Sequence, residues 1–234
     1  MKKADIEKLG KYQILGELGR GAMGVVYKGF DPGIERNVAI KTVRKDMMIA
    51  DDPDATRTQI ERFRREAQAA GRMTHPNIVG VYEYGEDGET AFIAMEFVSG
   101  RSLKDFFDAN ERFDIKEIVR IMGDLLSALE YSHRNGIIHR DIKPANIMIA
   151  ESGDVKITDF GIARIESSSL TQAGAVLGTP SYMAPEQFMG QRVDARSDLF
   201  SAGAVLYQFL TGEKPFTGSL TTIMHKVLNS NPEP

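Results

Sequence analysis

Runs of branched and aromatic residues crowd the first hundred positions of the chain, and helix-spaced apolar positions dominate the remainder. Residues 12–18, 25–29 and 37–43 carry the bias of strands, with a glycine turn after the first and Asp31-Pro32-Gly33 as a turn after the second. The acidic stretch 50–55 reads as a loop. Thr58-Gln59-Ile60-Glu61 then predicts a capping box, and Ile60, Phe63, Ala67 and Ala70 recur on one helical face. His75-Pro76-Asn77 breaks that pattern, and two further strands are expected over 78–84 and 90–97. Beyond Ser99-Gly100 helices take over. Ile118, Ile121, Met122, Leu125, Leu126 and Leu129 form an apolar stripe on one long helix that ends near Asn135-Gly136. Residues 199–210 are apolar nearly all round and predict a buried helix, and 220–228 predict a last one. Between these helical tracts, residues 162–183 form a long loop rich in Ser, Thr and Gly, of a length usually kept for function.

Composition narrows the classes. The chain has 234 residues, 42% of them hydrophobic, enough for a large core or two small lobes. A net charge of −4 gives no electrostatic case for nucleic acid or for a membrane surface. Cysteine is absent, which excludes disulfides and thiolate chemistry and fits a cytoplasmic location. The first residues have no apolar signal core, and the longest apolar stretch, 202–210, is too short for a membrane segment.

The densest chemistry lies in His139-Arg140-Asp141-Ile142-Lys143-Pro144-Ala145-Asn146, followed by Asp159-Phe160-Gly161. Two acids, an amide and a lysine this close suit metal-assisted transfer of a phosphoryl group to a hydroxyl. One carboxylate orients the attacking alcohol and accepts its proton. The other acid and the amide offer hard oxygens to Mg²⁺, and the lysine neutralises charge on the moving phosphate. Singly, each would read as a surface or turn polar residue. Leu18-Gly19-Arg20-Gly21-Ala22-Met23-Gly24-Val25-Val26 adds G-x-G-x-x-G-x-V, Val38-Ala39-Ile40-Lys41 follows, and Ala184-Pro185-Glu186 closes the set.

With these motifs in this order, the chain resembles the eukaryotic-type protein kinase family, most closely its bacterial serine/threonine branch, from about Tyr12 to its end. The resemblance implies an α+β, two-lobed protein-kinase-like fold. A β-rich N-lobe with one key helix is expected over 1–95, a hinge over 96–99, and a helical C-lobe over 100–234. It implies ATP and Mg²⁺ as cofactors, with Mn²⁺ as an alternative, and protein substrates bearing Ser or Thr. In the family, Asp141 orients the substrate hydroxyl, Lys143 contacts the transferring phosphate, Asn146 and Asp159 hold the metal, and Thr179 bonds near Asp141. Lys41 would pair with the α/β-phosphates and with Glu66, for which Glu61 is the competitor. Gly19, Gly21 and Gly24 would approach the phosphates, although a plain glycine-rich hairpin reads the same way. Leu18, Val26, Ala39, Met95 and Met148 would wall the adenine, with Glu96 and Val98 offering main-chain groups. His139 is packing in the family and not a base.

Regulation follows from the same likeness. Arg140, Arg164 and Arg62 would gather around a phosphorylated loop residue, with Thr171 first and Ser169 among those behind it. Asp198 reads as a helix cap and, by resemblance, a brace near His139. Relatives of this kind also pair through their N-lobes, giving an expected homodimer. Family domains continue for several helices beyond the point matching Pro234, one of which supplies an arginine to the position of Glu186. Glu186 is therefore expected unpaired, and one side of 199–210 uncovered. A catalytically impaired ATP-binding fragment or scaffold is the rival reading, and a small-molecule kinase a third. A membrane anchor in a longer parent is compatible with either of the first two.

Overall fold

The computed structural model describes residues 6–21, 24–44, 53–160 and 180–233, with Arg44, residues 53–59, Arg62 and Glu66 described by backbone alone. The chain divides into two compact units, Met1–Thr74 with Val79–Val98, and His75–Ile78 with Ser99–Pro234.

The first unit is an antiparallel sheet of six strands, β1 (Lys8–Leu9), β2 (Tyr12–Gly21), β3 (Gly24–Asp31), β4 (Arg36–Arg44), β5 (Val81–Asp87) and β6 (Thr90–Glu96), in the order β1-β2-β3-β4-β6-β5. Alternation along the strands, clearest in β3, sets its two faces. Tyr12, Val25, Tyr27, Val38, Ile40, Phe92 and Ala94 cluster on one. Val25, Val38, Ile40 and Phe92 each contribute about 1.5–3 kcal/mol on burial. Helix α1 (Pro53–Ala70) carries buried Phe63, Ala67 and Ala70, packs beside β5, and sets the Phe63 ring edge-on to Tyr84 at 6.0 Å. It begins five residues before the capping box expected at Thr58. Pro53 explains the earlier start, because proline at a first helical position gives up an N–H that has no partner there.

Sheet packing, as much as ligand chemistry, accounts for one glycine of the G-x-G-x-x-G-x-V motif. A Cβ on Gly24 would lie 1.7 Å from the Thr42 carbonyl oxygen, whereas one on Gly19 meets nothing within 4 Å. Gly24→Ala is therefore expected to lower stability by about 1–3 kcal/mol, the usual cost of overpacking. Gly19→Ala should leave the denaturant midpoint in place, and equal midpoints for the two variants would refute this account.

The second unit holds a small sheet, β7 (Gly100–Ser102), β8 (Ile147–Ala150) and β9 (Val155–Ile157), and helices α2 (Leu103–Asp108), α3 (Ile115–Arg134), α4 (Pro185–Phe188), α5 (Ala195–Thr211) and α6 (Leu220–Asn229). Together with the β-rich first unit, this is the α+β class expected. Asp114 caps α3 and forms a capping box with Glu117, and Asn135 closes the helix. Its stripe buries Ile118, Ile121, Met122, Leu125, Ala128 and Leu129 against α5 and β9, but Leu126 faces solvent. On α5 the cap is Asp194, which accepts from the Arg196 N–H, and not Asp198, which lies within the first turn. The helix stops at Gly212, whose φ of 81° places it in the left-handed region that favours glycine. Residues 199–210 are buried on one side and uncovered on the other, as expected. Leu199 is 51% and Leu210 57% exposed, because the buried contacts of α5 come from the face of Ala202, Val205 and Phe209.

Residues 75–78 pack with the second unit although both flanks belong to the first. The Asn77 side chain donates to the Val155 carbonyl at 3.0 Å, the Ile157 N–H donates to the Asn77 carbonyl at 2.8 Å, and Ile78 bridges Ile157. A lobe boundary drawn as 1–95 misses this loop, because its anchors lie about eighty residues away in sequence. Among the described residues, no helix is long and apolar enough to cross a membrane.

Candidate active site

Backbone bonds first fix the loop that carries the acid and the amide. Asp198 is buried, at 1% exposure, and accepts from the His139 N–H at 2.8 Å, the Arg140 N–H at 2.7 Å and His133 Nε2 at 2.7 Å. The Arg140 carbonyl accepts from Gln187 Nε2 at 2.8 Å, and Gln187 Oε1 accepts from the Ala184 N–H at 2.9 Å. The N–H and the carbonyl of Arg140 are thus both held from outside the loop. That matters because Arg140 has φ 70°, a conformation that costs a residue with a side chain about 1–3 kcal/mol. Sequence reading anticipated Asp198 as a brace by resemblance. It missed Gln187 and His133, whose only signal is proximity in the fold.

His139 is fully buried, and its Nδ1 accepts from the Asp141 N–H at 3.2 Å. Nε2 therefore carries the proton and donates to the Thr158 carbonyl at 2.9 Å. The Phe160 ring meets it edge-on at 4.6 Å. With both nitrogens committed, His139 packs and does not act as a base.

Asp141 then faces two partners. Its Oδ2 accepts from Lys143 Nζ at 2.7 Å and from Asn146 Nδ2 at 2.9 Å, and Asn146 Nδ2 also reaches the Asp141 carbonyl at 2.8 Å. Asn146 is 5% exposed and spends both amide hydrogens here, so Oδ1 is the atom it has left to offer. Strands β8 and β9 make a hairpin whose open end returns to the same place: the Thr158 N–H donates to the Asn146 carbonyl at 2.9 Å, and Asp159 follows with φ 64°. The hairpin thus sets Asp159 one residue beyond the backbone bond to Asn146, so that the amide and the carboxylate of the sequence-predicted pair fall at the same end of the ladder. That set fits Mg²⁺, which usually takes one or two protein oxygens and completes its shell from phosphates and water.

In the first unit, register assembles a second group. Gly19 pairs Val26, Val26 pairs Lys41, and Ala39 pairs Met95, so Val26, Ala39, Lys41 and Met95 share the sheet face opposite the Tyr12–Phe92 cluster. Leu18 is half exposed beside them, where a register shift interrupts β2. The Glu96 N–H donates to the Gly80 carbonyl at 2.8 Å, which leaves Val98 as the main-chain donor of that pair. Gly21 pairs Gly24 at the end of the hairpin. Met148 lies on β8, paired with Lys156. Glu66 falls on α1, its side chain and that of Arg62 lying outside the described residues, as do Arg164, Ser169, Thr171 and Thr179. Glu186, expected unpaired, accepts a hydrogen bond from the Ser197 hydroxyl.

Residues 12–232 match the family model described as the protein kinase domain. Among curated proteins, the chain is 44% identical to serine/threonine-protein kinase PknB of Mycobacterium leprae over 231 residues, covering 96% of this chain and 36% of the relative. It is 44% identical to serine/threonine-protein kinase PrkC of Bacillus subtilis over 210 residues, covering 89% and 32%. The chain thus spans about a third of the length of the curated relatives it matches.

Proposed function

The chain belongs to the protein kinase domain family, and from that premise we propose that it transfers the γ-phosphate of ATP to serine and threonine hydroxyls of proteins, with Mg²⁺ as the working cation. The observation that carries this reading is the carboxylate of Asp141, held on one oxygen by Lys143 and Asn146. Oδ1 is left to face an acceptor hydroxyl. As the hydroxyl oxygen bonds to the γ-phosphorus, the bond from phosphorus to the β–γ bridging oxygen breaks, ADP departs and the proton passes to Asp141. Lys143, 2.7 Å from the carboxylate, is sited to meet negative charge on the transferring group. A divalent cation, when bound, neutralises phosphate oxygens, and Asn146 Oδ1 and the Asp159 carboxylate would hold it.

The remaining roles are part of the same proposal. Lys41 contacts the α/β-phosphates and pairs with Glu66, Gly19, Gly21 and Gly24 cover the phosphates, and Leu18, Val26, Ala39, Met95 and Met148 enclose the adenine, with Glu96 and Val98 at its edge. Thr179 bonds near Asp141. Thr171, with Ser169 behind it, takes an activating phosphate read by Arg140, Arg164 and Arg62. The names of the relatives support serine and threonine as acceptors.

Intact mass of the purified chain before and after incubation with Mg·ATP tests this, with Asp141→Asn beside it. Added phosphate on the parent alone is expected. An unchanged parent mass, together with no phosphate on a panel of protein substrates, would refute the proposal.

A further inference from the structure

Two lysines stand on the sheet face that carries Val26, Ala39 and Met95. Lys41 is the one assigned to the phosphates. The other is Lys28, which pairs Ala39 across the ladder and alternates with the buried Val25, Tyr27 and Gly29 positions of β3. Its ammonium lies 4.6 Å from the centroid of the Phe97 ring. Lys28 pairs with no acid among the described residues, so the electron-rich face of that ring is what its charge meets.

Phe97 sits where the chain leaves the sheet. The ladder between β4 and β6 ends at the Val38–Glu96 pair, so Phe97 and Val98 lie beyond strand pairing. Glu96 is tied twice to Gly80. Its N–H donates to the Gly80 carbonyl at 2.8 Å, and its Oε2 accepts from the Gly80 N–H at 3.2 Å. A single residue, the half-buried Phe97, separates that fixed point from the Val98 N–H. A cation over its ring restrains this one link between a pinned strand end and the main-chain donor beyond it.

We propose that Lys28 is a positioning residue for the nucleotide base: through the Phe97 ring it holds the Val98 N–H toward the acceptor nitrogen on the edge of adenine. The proposal rests on the protein kinase reading and deepens it. Lys28 acts through Phe97 and takes no part in the transfer step. Its removal therefore acts on nucleotide affinity and on KM for ATP, and leaves kcat near the parent's.

Titration calorimetry with two nucleotides tests it. One is ADP. The other is 1-deaza-ADP, which carries a C–H in place of the ring nitrogen that would accept from Val98. Lys28→Met keeps the length of the side chain and removes its charge. The parent should bind ADP more tightly than the 1-deaza compound. Lys28→Met should weaken ADP about two- to fivefold, the range of an exposed cation over a ring, and leave 1-deaza-ADP unchanged. KM for ATP should rise by the same factor at unchanged kcat. Lys28→Arg, whose guanidinium also sits on an aromatic face, should restore the parent's affinity for ADP. Equal ADP affinity in the parent and Lys28→Met would overturn the positioning role while the kinase reading stands. Equal weakening of both nucleotides, the mark of a general loosening of the sheet, would do the same, as would a Lys28→Arg protein no better than Lys28→Met. Failure of the parent to bind ADP or to transfer phosphate would overturn both.

Discussion

Replacing Asp141 by Asn is expected to slow phosphate transfer by about 10²–10⁴-fold, the usual contribution of a positioned proton acceptor. The substitution is nearly isosteric and leaves the loop's outer supports untouched, since Asp198 and Gln187 hold the neighbouring Arg140 peptide and not the Asp141 side chain. Its damage is local in two ways. The amide cannot take the proton of the acceptor hydroxyl. It also removes the charge that holds Lys143 at 2.7 Å, so the lysine loses the partner that aims it. Far-ultraviolet circular dichroism and nucleotide affinity should stay near the parent's while the single-turnover rate collapses. A rate within a factor of three of the parent would take Asp141 out of the reaction.

The largest stability effect is expected at Asp198. Its two oxygens accept two main-chain N–H groups and one imidazole nitrogen at 1% exposure. Asp198→Ala strips all three bonds, and the loss should reach about 3–5 kcal/mol, as when one partner of a buried charged network is removed. Asp198→Asn is the sharper probe. It keeps one acceptor but turns an N–H₂ toward a main-chain N–H, so donor faces donor. It should cost less stability than alanine and still depress activity, because Arg140 at φ 70° would lose part of what offsets its strain. Urea midpoints and single-turnover rates measured on both variants check this. An Asp198→Ala midpoint equal to the parent's would show that the three bonds contribute nothing net.

The catalytic loop was legible because its chemistry is local. Asp141, Lys143 and Asn146 lie within six residues, and a single turn of 3₁₀ helix over Pro144–Asn146 suffices to bring the amide back to the acid. The strands were legible from composition, and the α3 stripe from its period. What sequence did not reveal is set by partners distant along the chain. Gln187 looks like any residue after Glu186 until the Arg140 carbonyl is placed against it, 47 positions away. The need for glycine at position 24 comes from the backbone of Thr42 on another strand. Leu126 has core composition, yet solvent reaches it, because burial depends on which helix faces meet and not on apolarity alone. Glu186 found Ser197, a neighbour that no motif names.

The β8–β9 hairpin has a bearing on how such chains diverge. Asn146 and Asp159 are separated by thirteen positions of sequence, but they sit at the two open ends of one ladder whose closed end is the turn around Gly153. Their separation in space is fixed by ladder pairing and by the Thr158 to Asn146 bond, not by the number of residues between them. Lengthening or shortening the turn would leave both residues where they are. The interval between the two can therefore drift while the pair is preserved, and a pattern search that demands a constant gap between them would pass over functional members.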